Sequence, residues 1–431
     1  MKKHDSGMYF LFGIPLIALV LWLWAPSVSL SISSWYDALS LLGKATGIIG
    51  MMLFAESMIL SARLPIFEKF FYGLNKVYEK HSQVGQIGFM FMLFHPLFLA
   101  FTYTDMSFAR VLSFLAPNQY TWPINFGQFA LYLLIILIAL TLYLRPKYHI
   151  WKYTHKWMGL AFFFAGLHVF LIPSDTSSFL PLRLYVLFIS AVAMYAFIYH
   201  TIFGAYTTRK FRYRVSAVRE MGEGITEITL TKEGEGMHFT PGQFAFVSFR
   251  DKNIGYESHP FSLSGSVDSP DIKFTVKNLG DFTANLSKLP VGTTAFIEGP
   301  FGKFSAKEGL YKRQIWIAGG IGITPFLSMA KSLTLDDGYK IDLYYCVKNP
   351  KEAVYLSLLE SIQNPALRII PHYSDTAGYM NADIIKATSG DLSVCSVFIC
   401  APVPMIRSLR KQLSLSGVKA ENLHSEEFGL Q

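Results

Sequence analysis

Between Met8 and Phe203 the chain carries six apolar runs, Met8–Ala25, Ala38–Leu60, Gln83–Thr104, Asn125–Leu144, His155–Ile172 and Leu182–Phe203. Each is long enough to cross a hydrocarbon core about 30 Å thick as a helix. In lipid every backbone group must be satisfied within the segment, so such runs have almost no choice but to be helical. From about Arg209 the pattern changes to short alternating stretches with Gly and Pro punctuation and ordinary surface charge. This shift predicts a six-span helical membrane bundle over residues 1–207, followed by a soluble half. The first run follows Lys2 and Lys3 but lacks a small-x-small cleavage site, so it reads as a retained helix, with an uncleaved signal-anchor as the alternative.

The cations between the runs are lopsided. Lys2 and Lys3, then Arg63, Lys69, Lys76 and Lys80, then Arg145, Lys147 and Lys152, then Arg209, Lys210, Arg212 and Arg214 fall on one side; Arg110 and Arg183 fall on the other. The positive-inside rule then predicts a multi-pass cell-membrane protein with both termini and the soluble half in the cytoplasm. This distribution also excludes nucleic acid as the partner of the net charge of +8, because the cations flank spans and form no groove. Cys346, Cys395 and Cys400 are the only cysteines, and their spacing suggests neither a disulfide framework nor a zinc site.

Two of the runs carry histidines at matching depths. The third has His81 at its inner end, two residues before Gln83, and His95 toward the outer half; the fifth has His155 and His168 in the same order. Fourteen residues separate His81 from His95, about 21 Å along a helix axis, which suits two stacked sites. One imidazole from each of two helices leaves a zinc site two ligands short, whereas a haem iron takes only two axial ligands. Two haems held by His81 with His155 and by His95 with His168 are therefore expected. Fourteen residues return within about 40° of one helix face, but the thirteen between His155 and His168 miss by about 140°. The fifth span must therefore bend, change its winding or carry a π-bulge, near Gly159 or Gly166. His149 and His200 have no depth-matched partner.

In the soluble half, "RYRVSAV", "ITEITLT", "GQFAFVSF", "IKFTVKN" and "TAFIEG" read as strands of a small antiparallel barrel. After about Ser305 strands alternate with helices: "RQIWIAGG", "TPFLSMAKSL", "KIDLYYCV", "EAVYLSLLESI", "LRIIPHYS" and "SVFICA". That order predicts a parallel sheet with covering helices. The turn "GGIGITP", Gly319 to Pro325, lets backbone N–H groups approach a pyrophosphate at a helix N-terminus. "KNLGDFT" offers a second phosphate cradle through Lys277, Gly280 and Thr283, and "HPFSLSG" gathers an imidazole, a ring and hydroxyls after a strand.

Taken together, these motifs, with "EGPFG" and the tail "EEFGL", resemble the ferric reductase and NADPH oxidase superfamily over roughly Ala38 to Gln431. The resemblance implies a six-helix haem domain at 1–207, an FAD-binding β-barrel at 208–308 and an NAD(P)-binding α/β domain at 309–431, together a ferredoxin-reductase-like module. It implies that His259, Pro260, Phe261 and Ser262 contact the flavin, and that Lys277, Gly280 and Thr283 meet the FAD phosphates. Gly319, Gly320, Gly322, Thr324 and Pro325 would hold the dinucleotide. Phe428 would cover the flavin ring, and Cys400, in a Cys-Ala-Pro departure from Cys-Gly-Pro, would lie at the nicotinamide. Ser374 is kept, but Tyr379 stands where an arginine is often found, leaving NADPH and NADH both open. Leu99 replaces a further histidine of some oxidases, and Lys44 reads as a propionate partner or a snorkelling cation. The expected enzyme moves electrons from NAD(P)H through FAD and two b-type haems to an outside acceptor, oxygen giving superoxide, with a ferric complex as the alternative. No obligatory protein partner is expected. A haem-bearing partner or sensor without turnover is the reading from another class.

Overall fold

The computed structural model describes residues 6–102, 108–116, 121–144, 146–204 and 209–427. It divides into two compact units, Met1–Thr207 and Thr208–Gln431.

The first unit is helical. Its principal helices are α1 (Ser6–Leu23), α2 (Trp35–Leu60), α3 (Pro65–Phe71), α4 (Leu74–Phe101), α5 (Phe108–Leu115), α6 (Trp122–Ala139), α7 (Tyr148–His155), α8 (Met158–Leu171), α9 (Asp175–Ser178) and α10 (Leu180–Ile198). Among the described residues, four helices are long and apolar enough to cross a membrane, at Trp35–Leu60, Leu74–Phe101, Trp122–Leu144 and Leu180–Thr201. The start of α2 is written locally: the Ser34 hydroxyl accepts from the Asp37 N–H, and the Asp37 carboxylate accepts from the Ser34 N–H at 2.9 Å. α6 and α10 end in π-helical turns, Leu140–Leu144 and Tyr199–Phe203.

The expected fifth span, His155–Ile172, begins on the last residue of one helix and continues in another: α7 stops at His155, and α8 starts at Met158. Between them the chain tightens: Lys156, Trp157, Gly159 and Leu160 each donate their N–H three residues back, to Tyr153, Thr154, Lys156 and Trp157. Three-residue turns advance about 120° per residue in place of about 100°. Over the five steps from His155 to Leu160 this adds about 100°, and it brings His168 to about 40° from the His155 face, the same offset as His95 from His81. In this turn position 159 is a glycine, where a Cβ would meet Phe197 Cε1 at 2.1 Å.

The second unit holds two sheets. In the first, strands run in the order β4 (His259–Ser262), β3 (Phe244–Phe249), β6 (Thr294–Phe301), β1 (Lys210–Gly222), β2 (Ile225–Lys232) and β5 (Asp271–Lys277). All its pairings are antiparallel, and a bridge between Leu263 and Phe274 brings the chain just after β4 to β5. Its core includes Tyr213, Ile228, Val247, Phe249, Phe274 and Ile297. The second sheet is parallel, in the order β11 (Leu423–Glu427), β10 (Ser396–Ala401), β7 (Arg313–Gly319), β8 (Lys340–Val347) and β9 (Leu367–Tyr373). Along β7 and β8 alternate residues enter two different cores: Trp316, Ala318, Leu343 and Tyr345 one, Ile315, Ile317 and Tyr344 the other. A parallel sheet covered on both faces requires this. The helix expected over "EAVYLSLLESI" is confined to Leu356–Glu360.

Candidate functional site: paired imidazoles and a flavin–nicotinamide module

The four histidines sit on two helical hairpins. His81 and His95 lie on α4, which packs on α2; His168 lies on α8, which packs on α6, and His155 ends α7. The His81 and His155 ring centroids are 6.1 Å apart at 75°, and those of His95 and His168 are 6.2 Å apart at 67°. The structure thus brings together the two pairs read from the sequence.

The helices behind the rings fix their orientation. His95 Nδ1 donates to the Gly43 carbonyl at 2.7 Å, His168 Nδ1 to the Pro123 carbonyl at 2.7 Å, and His81 Nδ1 to the Ser57 carbonyl at 2.8 Å. A carbonyl can only accept, so each of these Nδ1 atoms carries the proton and leaves its Nε2 lone pair for a metal. His155 Nδ1 has a longer contact, 3.4 Å to Thr141 Oγ1. Room for each outer ring is made by a glycine: a Cβ on Gly47 would stand 2.6 Å from His95 Nδ1, and one on Gly127 would stand 2.8 Å from His168 Nδ1. On both hairpins this glycine lies four residues after the residue whose carbonyl accepts, Gly43 and Pro123. Sequence reading missed this cradle, because which carbonyls accept is set by the packing of α4 on α2 and of α8 on α6.

Among the described residues no three His, Cys, Asp or Glu side chains gather as a metal cluster. Two imidazoles alone are what an axial pair needs. Nitrogens about 2.0 Å from a shared metal put ring centroids about 6 Å apart once the ring radii are added, matching both pairs. The residues fit haem ligation. A cavity of 530 Å³ surrounds the His95–His168 pair, lined also by Gly47, Gly127, Phe54 and Leu134. Lys44, on the same cavity, pairs with Asp175 at 3.0 Å, and Trp22 Nε1 donates to the same carboxylate oxygen at 3.1 Å.

In the second unit the flavin motifs converge. β4 presents His259, Pro260, Phe261 and Ser262. An aromatic stack runs from Phe274 to Phe261 at 5.0 Å, on to Phe282 at 6.4 Å and to His259 at 3.8 Å, joining "HPFS" to the "KNLGDFT" loop. His259 Nε2 lies 3.0 Å from the Glu257 carboxylate. Gly280 caps the short helix Asp281–Asn285, and the Thr283 hydroxyl accepts from the Leu279 and Gly280 N–H groups, which rigidifies the loop. Lys277 stands at the end of β5, 4.0 Å from Glu352.

The dinucleotide turn lies at the C-terminal end of β7, where ligands bind in open parallel sheets. Gly320 has φ +57°, and a Cβ on Gly322 would strike the Cys400 carbonyl at 1.9 Å, so the turn is pressed onto β10. Thr324 and Pro325 open the helix Thr324–Lys331. Cys400 is fully buried, and that burial keeps it a thiol well above its usual range. Across the ladder from Cys400 is Glu426, also buried, which burial pushes up to about 8. Glu426 was not singled out in the sequence; its place in "EEFGL", beside a recognised tail, was the available signal. Ser374 begins a short helix directly after β9, and Tyr379 is 89% exposed. Phe428 lies outside the described residues.

These features are those of a flavin- and nicotinamide-binding module that follows a helical unit with four helices long and apolar enough to cross a membrane. Comparison with known families agrees. Residues 46–166 match a ferric reductase like transmembrane component, residues 210–305 an FAD-binding domain, and residues 316–411 an oxidoreductase NAD-binding domain. Together these matches give the chain the architecture of the ferric reductase and NADPH oxidase-like flavocytochromes. Among curated relatives, the propane 2-monooxygenase reductase component of Rhodococcus jostii (strain RHA1) is 24% identical, over 53% of this chain and 66% of its own length. The carnitine monooxygenase reductase subunit of Escherichia coli (strain K12) is 28% identical, over 51% of this chain and 69% of its own length. The glycine betaine monooxygenase reductase subunit of Pseudomonas aeruginosa (strain UCBPP-PA14) is 27% identical over 44% of this chain; the chain spans 56% of that relative. Among solved structures, a ferredoxin NADP+ reductase from Neisseria gonorrhoeae with bound FAD and NADP is 15% identical, covering 51% of this chain and 98% of its own, with a TM-score of 0.44.

Proposed function

We propose that this chain is a transmembrane electron-transfer enzyme that oxidises cytosolic NAD(P)H and delivers single electrons to an acceptor on the far side, dioxygen giving superoxide. The observation that carries this reading is the pair of imidazole couples at two depths, with His81, His95 and His168 each held by Nδ1 on a carbonyl of the neighbouring helix. When bound, FAD would supply the conversion of a hydride into single electrons, and two b-type haems a one-electron path between the two depths. His81 with His155 would hold the inner group and His95 with His168 the outer one. His259, Pro260, Phe261 and Ser262 would line the flavin, and Lys277, Gly280 and Thr283 its phosphates. Gly319, Gly320, Gly322, Thr324, Pro325 and Ser374 would hold the dinucleotide. Cys400, buried and protonated, would shape the nicotinamide face without acting as a nucleophile, and Phe428 would cover the flavin ring.

This reading takes residues 1–207 as six spans, adding α1 and the α7–α8 segment to the four long helices, with both termini cytoplasmic in the cell membrane. It takes 208–308 as the FAD domain, closed into a barrel through the Leu263–Phe274 bridge, and 309–431 as the NAD(P) domain. The largely apolar cavity at the outer pair would hold the outer haem, and Lys44 beside it is engaged by Asp175, which favours a small neutral acceptor over an anionic chelate. Ferric reduction is the second reading, supported by the transmembrane match at 46–166.

Purified protein supplied with NAD(P)H and no partner, assayed in parallel with oxygen and with a ferric chelate, tests this. Superoxide formation outrunning chelate reduction is expected. Chelate reduction that persists with oxygen absent and exceeds the oxygen rate would favour the ferric reading. Absence of turnover with either would return the protein to a partner or sensor role.

A further inference from the structure

A buried polar seam joins the two lobes of the second unit. Glu227 on β2 and Thr275 on β5 are cross-strand neighbours in the flavin sheet. Tyr355, which comes from the nucleotide lobe, reaches both: its hydroxyl lies 2.7 Å from Thr275 Oγ1 and donates to Glu227 Oε2 at 3.2 Å. Thr275 Oγ1 is 3.5 Å from Ser264 Oγ, and the Ser264 carbonyl accepts from Lys331 Nζ at 3.1 Å. Tyr355 and Ser264 are each 1% exposed, Thr275 is 5% and Glu227 9%. Because the phenol has one proton and gives it to Glu227, the hydroxyl of Thr275 must donate to Tyr355. Burial raises the Tyr355 phenol well above its usual range, so it remains a donor.

The seam ends on both binding motifs. Ser264 is two residues past Ser262 in "HPFSLSG", and Lys331 closes the helix that starts at Thr324 and Pro325 in the glycine turn. Apolar contact would hold two lobes together but would leave their sliding free; directional bonds to buried partners fix it. We infer that the Glu227–Thr275–Tyr355 and Ser264–Lys331 bonds are a positioning device that sets the nucleotide lobe against the flavin lobe at the distance hydride transfer requires. Tyr355 and Lys331 are thus positioning residues for the reaction proposed above, and the inference rests on that reading.

The test uses full-length protein in detergent, loaded with FAD and mixed anaerobically with NADH, with flavin bleaching and long-wavelength charge-transfer absorbance both followed. A misplacement near 1 Å costs about 100-fold, so Tyr355→Phe is expected to slow bleaching by about 10- to 100-fold and to weaken the charge-transfer band. FAD content and nicotinamide Kd should stay at wild-type values. In protein without FAD, amide exchange of Ser264 and of the Thr324–Lys331 helix should rise. A Tyr355→Phe protein that melts earlier yet bleaches and absorbs as the wild type does would overturn the inference. Should that variant fail to fold, Lys331→Met and Lys331→Gln decide: slow bleaching in the first with recovery in the second is expected, and wild-type rates in both would overturn it. Wild-type protein that neither NADH nor NADPH reduces would overturn the functional reading itself, and so separates the two failures.

Discussion

Gly47 is the position where one methyl group should cost the protein its outer cofactor. In Gly47→Ala the new carbon would stand 2.6 Å from His95 Nδ1 and 2.9 Å from Cε1. Relaxed contacts begin near about 3.5 Å, so the ring must retreat by about 0.9 Å. That retreat stretches the 2.7 Å bond from Nδ1 to the Gly43 carbonyl beyond hydrogen-bonding range. Overpacking costs about 1–3 kcal/mol and the lost hydrogen bond about 1 kcal/mol, together about 2–4 kcal/mol. At about 1.4 kcal/mol per decade this is roughly a 30- to 700-fold loss of affinity for the outer group. Pyridine haemochrome analysis, referred to FAD, should give two haems per chain in the wild type and close to one in Gly47→Ala. Gly13→Ala, where a Cβ would meet nothing within 4 Å, should keep both. Two haems in Gly47→Ala with unchanged spectra and midpoint potentials would mean that His95 is not held as a ligand between α2 and the cofactor.

Replacing single histidines should divide the two sites: His95→Ala or His168→Ala loses the outer haem and keeps the inner, and His81→Ala or His155→Ala does the reverse, as read by haem stoichiometry and redox titration. Burial pushes Glu426 up to about 8 from an ordinary 4.5. Between these values the folded chain holds a proton that the unfolded chain releases, so its contribution to stability declines as pH rises through that window. Melting curves across the window should show that decline, and Glu426→Gln should flatten it. Ser374 stands alone at the expected 2′-phosphate position and Tyr379 projects into solvent, so no guanidinium fork comes from there. Steady-state kinetics should accordingly give a preference between NADPH and NADH below about a thousandfold, or roughly 4 kcal/mol.

Much of this was legible in the residues because the signals are local. Hydrophobic length exposed the four long apolar helices, period-two alternation exposed β1, β2 and β3, and the depth of four histidines exposed two pairs. What escaped was set by neighbours distant in sequence. Nothing in "HPFS" alone marks β4; it becomes a strand by pairing Phe261 with Ala245 and Ser262 with Phe244. β11 is polar, "LHSEE", and it is a strand because β10 offers it a parallel edge. The thirteen-residue spacing on the fifth run posed a geometric problem that sequence could state, and the tightened turn from Lys156 to Leu160 resolves it. Gly47 and Gly127 looked like ordinary membrane-helix glycines until the rings opposite them were known. The Tyr355 seam joins residues 128 positions apart, which no local pattern can announce.

Electrons that leave NAD(P)H on one side of a membrane and reach an acceptor on the other can be followed in sealed vesicles reconstituted with the purified protein, with cytochrome c trapped inside and NADH or NADPH added outside. Molecules whose soluble unit faces outward should reduce the trapped cytochrome. Superoxide dismutase trapped with it should suppress that reduction, and the same enzyme added outside should not. Oxidation of NAD(P)H with no change in the trapped cytochrome, or with reduction confined to cytochrome outside the vesicles, would contradict transmembrane transfer and leave a flavin reductase that works on one face only.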